Sequence, residues 1–265
     1  MAVFQHILWG YELTYPDHWI HQTMQDSDGF AAVADAFDPY YAASDAGHLL
    51  VRGEWNWRRL PIEPLWNQHI GMLAGIMGAK EVGSAPWKLG QASGLEAEIV
   101  LPKKDNQRLW TGILMRDFRV LHFMVTHPKE IRETFEPQAT KIISSLRFPN
   151  RILGITAGPE GIPLPPDYTP TDPKTILTDI SNPEQWRAYN GESGIGALQA
   201  FYLREIPVHN WDLEEYVPFP DSSDLGFARF RLRRGDLRIM LGLMPYDPSG
   251  KVTSASPANI VFKIG

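Results

Sequence analysis

Between residues 108 and 148 the rhythm of apolar and polar positions changes once. Two long strand-like runs, 108–115 and 118–126, flank Arg116-Asp117 and predict a hairpin. After them Ile131, Phe135, Ile142, Ile143 and Leu146 recur along one helical stripe. That stripe needs an apolar sheet to lie on, and the hairpin supplies one. Pro137 predicts an interruption: a short turn over 129–134, then the main helix with Pro137 in its first turn.

The same reading extends both ways. Upstream, Tyr11–Tyr15 and 49–57 alternate, and 30–36 is apolar enough for a buried strand. In 49–57 the residues Leu49, Val51, Gly53, Trp55 and Trp57 fall on one face. Pro64 opens a helix to about Met77, with Leu65, His69, Leu73 and Met77 in line. Residues 94–101 alternate and stop at Pro102; 39–47 and 103–106 read as a loop and a turn. Downstream, Gly and Pro crowd into 154–174, which predicts a linker. A short helix is expected at 183–189 and a longer one over 194–206, halted by Pro207. Strands follow at 211–216, 226–233, 237–244 and 258–264, the middle two turned at Arg234-Gly235-Asp236. The expected organisation is an α+β domain over 1–153, the linker 154–174, and a small helix-plus-antiparallel-sheet domain over 175–265.

Four stretches carry a family resemblance: Tyr15-Pro16-Asp17-His18-Trp19, the helix at 64–77, Gly94-Leu95-Glu96-Ala97, and Ile142-Ile143-Ser144-Ser145-Leu146-Arg147-Phe148. Through them residues 8–150 resemble the PsbP-like and DcrB-like α/β/α sandwich family. That family includes a photosystem II extrinsic protein and a Ran-binding import factor. The resemblance implies an antiparallel sheet with packed helices. It also implies a mostly non-catalytic role in binding, chaperoning or assembly; no family functional residue transfers to a numbered position. The second half is loosely similar to small bacterial α+β modules, through Phe201-Tyr202 and Asn210-Trp211.

Composition narrows the function classes. The 265 residues are 43% hydrophobic and 21% charged, a folded chain with nine Trp, nine Tyr and twelve Phe. The net charge is −6, and residues 1–160 (15 basic, 18 acidic) and 161–265 (10 basic, 13 acidic) carry −3 each. Neither half has the basic excess a nucleic-acid backbone requires, so no nucleic-acid partner is expected. Cysteine is absent, which removes disulfides and thiolate chemistry. No signal-like or membrane-spanning run is legible, which predicts a cytoplasmic protein without membrane insertion.

The chemical motifs resolve to structural readings. Gly191-Glu192-Ser193-Gly194 lacks the spacing of a nucleophile elbow, and Ser193 is expected to cap the following helix. Gly194-Ile195-Gly196 lacks the third glycine of a dinucleotide loop. Asp17, His18 and His21 form the nearest approach to a metal cluster, on what reads as a solvated turn. His122 reads as a core or edge histidine. Two sets remain as partner or anion-binding candidates. Arg229, Arg231 and Arg233, with Arg238 opposite, form a guanidinium ladder that is either paired with Glu214 or Glu215 or offered to an anionic partner. Trp55 and Trp57, with Arg58-Arg59 after them, combine the residue types favoured at protein interfaces. No catalytic residue, metal or cofactor is expected. The sequence thus predicts a non-enzymatic protein-binding adaptor, assembly factor or chaperone, a subunit of a larger complex. The alternative is an enzyme or anionic-ligand-binding protein with a site between domains.

Overall fold

A computed structural model describes residues 1–24, 27–37, 46–102, 106–177, 179–219, 226–247 and 252–265. The loop expected at 39–47 and the turn at 103–106 lie largely outside them. The protein is α+β, as expected, and divides into two compact units. The first comprises Met1–Gln5 and Tyr11–Phe148; the second comprises His6–Gly10 and Pro149–Gly265.

The first unit holds β1 (Ala2–His6, its last residue counted with the second unit), β2 (Tyr11–Tyr15), β3 (Ile20–Thr23), β4 (Asp28–Ala31), β5 (His48–Trp55), α1 (Ile62–Met77), β6 (Lys80–Leu89), β7 (Ala92–Val100), β8 (Gln107–Arg116), β9 (Arg119–Pro128) and α2 (Arg132–Ser144). Strands β3 to β9 make one seven-stranded antiparallel sheet in the order β3-β4-β5-β9-β8-β7-β6. Side chains alternate across a strand, so residues 122 and 127 of β9 point to opposite faces. His122 meets His69 of α1 at 3.2 Å, while the His127 ring lies 5.5 Å from Phe135 of α2. The two helices therefore cover opposite faces. Under α1 lie Leu65, Trp66 and Leu73 against Ala97, Ile99, Leu109, Ile113 and Val120. Burial of each such side chain contributes about 2 kcal/mol.

Several expected elements differ. Pro137 is the sixth residue of α2, after a 3-10 turn at Lys129–Ile131. It is exposed, so the one amide it removes would have bonded a carbonyl on the solvent side. The buried strand expected over 30–36 is β4, ending at Ala31, followed by a 3-10 turn at Ala34–Phe37. The hairpin turn is Asp117-Phe118, with Asp117 at φ 57°, so each flanking strand is longer than expected.

The second unit contains β10 (Thr156–Ala157), β11 (Pro163–Leu164), β12 (Thr169–Thr171), β13 (Trp186–Asn190), α3 (Ile195–Val208), β14 (Asp212–Val217), β15 (Ala228–Arg234), β16 (Leu237–Pro245) and β17 (Ala258–Ile264). A six-stranded sheet runs β12-β13-β17-β16-β15-β14. Ile195, Leu198, Phe201, Tyr202 and Ile206 of α3 join the core made by Phe230, Leu232, Leu241, Leu243, Ile260 and Phe262. Residues 154–174, expected as a linker, supply Ile162, Leu164 and Tyr168 to that core and pair β12 onto β13. Residues 183–189, expected as a helix, are a 3-10 turn at Pro183–Gln185 and then β13. Pro207 lies inside α3, which runs one residue beyond it.

Candidate functional site

The candidate site is the loop after β5, and a single asparagine shapes it. Asn56 is buried, 5% exposed. Its Nδ2 donates to the Leu60 carbonyl and its Oδ1 accepts from the Leu60 amide, both at 2.9 Å. Its own backbone amide donates to Phe118 O at 2.7 Å, and its carbonyl accepts from Arg59 N at 3.0 Å. One side chain thus closes a five-residue loop and fastens it to the β8–β9 turn. Within the loop Arg59 is held at φ 52°, a left-handed conformation that costs a non-glycine residue about 1 kcal/mol or more. The loop holds Arg58 and Arg59 out to solvent, with Trp57 half-buried between them and the strand.

Aromatic and guanidinium groups interleave here. Arg58 lies over the Trp57 ring at 4.7 Å and Arg59 over Phe118 at 4.8 Å. Arg116 and Arg119 flank Phe148 at 4.8 and 5.3 Å, and Trp55 packs beside Phe118 at 5.3 Å. Asp117 is the carboxylate within ion-pair distance of Arg116 (3.9 Å) and Arg119 (3.2 Å). Arg58 and Arg59 have no carboxylate partner among the described residues. Trp55 and Trp57 do not share a strand face as the alternation predicts, because β5 ends at Trp55. Trp55 is 4% exposed and supports the loop from beneath, whereas Trp57 belongs to the loop itself.

The arginine ladder is occupied from within the chain. Arg229 and Arg231 reach Glu215 at 2.9 and 2.8 Å. Arg233 reaches Glu214 at 3.2 Å and Asp212 at 3.7 Å, and Arg238 lies 3.9 Å from Glu214. These acids all sit on the neighbouring edge strand β14, in register with β15. Each guanidinium of the ladder already faces a carboxylate.

Behind the loop, under α1, is a polar chain that sequence spacing does not disclose. Glu54 Oε2 lies 2.9 Å from His122 Nε2, and Arg52 lies 3.5 Å from the same oxygen. His122 Nδ1 faces His69 Nδ1 at 3.2 Å, His69 Nε2 faces Thr111 Oγ1 at 2.7 Å, and Thr111 Oγ1 lies 2.8 Å from Phe123 O. Burial lowers His69 to about 3, helped by the charges of His122 and Arg52 and opposed by Glu54. Burial also lowers His122, against the pull of Glu54. At Glu54 burial pushes upward, but His122, Arg52 and His69 outweigh it and hold the carboxyl below its ordinary value. The order Thr–His–His–Glu resembles a nucleophile relay. Thr111 is wholly buried, however, so no substrate reaches its hydroxyl.

The remaining motifs are accounted for by packing. Gly194, not Ser193, stands at the start of α3, and no side chain caps it. The helix amides of Ile195 and Gly196 donate instead to Ser256 O (2.9 Å) and Ser254 O (2.8 Å). An added Cβ at Gly194 would meet Ala255 O at 3.0 Å, which explains the glycine. The amides a phosphate would need are therefore engaged. His21 pairs with Asp28 at 2.9 Å, apart from the exposed Asp17 and His18. Among the described residues no group of three His, Asp or Glu is placed to hold a metal. Arg234 of the Arg-Gly-Asp turn stacks on Trp211 at 4.3 Å and donates to Glu160 O.

No family model and no curated protein matches the chain. Solved structures do. Cyanobacterial PsbP from Synechocystis sp. is 11% identical over 56% of this chain and 92% of its own, with a TM-score of 0.43. The Saccharomyces cerevisiae Ran-binding protein Mog1p is 8% identical over 56% and 94%, with a TM-score of 0.37. A Bacteroides thetaiotaomicron protein is 10% identical over 91% and 86%, with a TM-score of 0.39. A PsbP structure is thus among the matches, as the resemblance over residues 8–150 leads one to expect. No described helix is long and apolar enough to cross a membrane.

Proposed function

We propose that this is a non-enzymatic protein-binding adaptor or assembly subunit that grips an acidic partner surface with the loop Asn56–Leu60. The observation that carries this reading is the pair Arg58 and Arg59, exposed and without a carboxylate among the described residues, on a loop that Asn56 holds in a strained conformation. Strain of that kind persists where surrounding bonds over-determine it, and it clusters at recognition sites. A preformed loop loses little entropy on binding, and Trp and Arg are the residue types that dominate interface energetics. Two unpaired guanidiniums suit carboxylates on a protein better than a polyanion, since the whole chain carries −6. The arginine ladder is assigned to holding β14 on its sheet rather than to the partner.

The test is fluorescence anisotropy with a labelled peptide rich in Glu and aromatic residues. Wild-type protein should bind it with an affinity that falls as salt rises. Arg58→Ala/Arg59→Ala should weaken binding by about tenfold or more, the loss expected for two charge-assisted contacts. Arg229→Ala/Arg231→Ala should leave it unchanged. Equal affinity of the Arg58/Arg59 variant and the wild type refutes the proposal.

A further inference from the structure

We propose that the chain Glu54–His122–His69–Thr111 is an acid-sensitive latch that holds α1 on the sheet at neutral pH and releases it on acidification. With both histidines neutral and Glu54 ionised, Thr111 donates to Phe123 O, His69 Nε2–H donates to Thr111 Oγ1, and His122 Nδ1–H donates to His69 Nδ1; His122 Nε2 then faces Glu54 at 2.9 Å without a proton.

One further proton can be accommodated. An imidazolium at His122 keeps its bond to His69 Nδ1 and gains a proton on the Nε2 that faces Glu54, while the bonds through Thr111 stay as they are. A second cannot, because protonating His69 as well sets two N–H groups head to head across 3.2 Å. The released segment has no such limit and takes a proton on each histidine below its ordinary value of about 6.5.

Four elements bring titratable groups to this face. His69 comes from α1. Arg52 and Glu54 come from β5, and His122 comes from β9. Glu81 of β6 reaches the Trp66 indole of α1 at 3.4 Å. The facing residues of β7 and β8 bring no ionisable side chain. The lowered positions of both histidines and of Glu54 act in the same sense. A depressed folded value means that the released state binds more protons, so docking is fully present above about pH 6.5 and declines as pH falls. His69 alone, moving from about 6.5 to about 3, weakens docking roughly 25-fold between pH 7 and pH 5.

Hydrogen exchange of the full chain reads the latch directly. Protection factors, corrected for the intrinsic pH dependence of exchange, should fall at least tenfold for α1 amides between pH 7 and pH 5, while those of α3 hold. The double variant His69→Leu/His122→Leu leaves Thr111 its bond to Phe123 O and removes the titration, so its α1 should stay protected at pH 5. If that variant does not fold, the wild-type Trp66 emission supplies a second readout: it should shift to the red over the same pH range. Unchanged α1 protection at pH 5, or equal loss in a folded double variant, overturns the proposal.

Discussion

The clamp at Asn56 can be tested apart from any partner. In Asn56→Ala the Leu60 amide and carbonyl each lose a 2.9 Å bond. Leu60 is only half-buried, so water replaces part of both, and each loss costs about 1 kcal/mol. The Met115 sulfur, 3.4 Å from Nδ2, adds little. The Asn56 and Arg59 backbone bonds remain, so the loop loosens without detaching. The expected destabilisation is therefore about 2 kcal/mol. Urea unfolding of the full chain followed by tryptophan fluorescence measures it as a lower midpoint at constant slope. Arg59, relieved of its left-handed strain, should then sample other conformations, and acidic-peptide affinity should fall although no contacting side chain has changed. Asn56→Asp should cost at least as much, because the new carboxylate is pressed against the Leu60 carbonyl it must now repel. A stability change below about 0.5 kcal/mol with unaltered peptide affinity would refute the clamp.

Other outcomes follow from single contacts. Tyr202→Phe should raise stability by about 1 kcal/mol, because the Tyr202 hydroxyl is buried without a hydrogen-bond partner among the described residues; thermal unfolding reads the gain as a higher Tm. Gly94→Ala would set a Cβ 1.7 Å from the Ile113 carbonyl, so strand β7 must shift; a loss of about 3 kcal/mol or more is expected in urea titration. Arg231→Ala should cost under about 1 kcal/mol by the same method, since its partner Glu215 keeps Arg229 and the pair is solvent-screened.

What was legible in the sequence was whatever local periodicity encodes. Residues 258–264 form the strand their apolar run predicts, to the residue, because such a run bounded by turns leaves little choice. The strand Lys80–Leu89 has no periodic signal, because an edge strand need not bury a face. Its residues are mostly exposed, and a register shift between Val82 and Ser84 interrupts its alternation. Trp55, Trp57, Arg58 and Arg59 stood out by type. Their arrangement depended on an Asn56–Leu60 bridge that no propensity scale rewards. The latch is illegible for another reason: Glu54, His69, Thr111 and His122 come from four elements, three aligned by the sheet's register and the fourth brought in by the packing of α1. Ser193 failed as a cap because the backbone of 254–256, distant in sequence, satisfies the helix amides first.

Residues 6–10 belong to the second unit although the residues on both sides belong to the first. A gene truncated after residue 148 would therefore not cut the protein where its cores divide. The C-terminal fragment would be missing Ile7 and Leu8, whose side chains pack on its core. It would also be missing the carbonyls of Ile7 and Leu8, which accept from Arg204 at 2.6 and 3.1 Å. Expressed alone, residues 149–265 would bear an uncovered apolar notch and a guanidinium short of acceptors, and should aggregate. Grafting residues 6–10 onto that fragment, or adding them as a short peptide, should restore solubility where a longer stretch of native sequence ending at 148 does not.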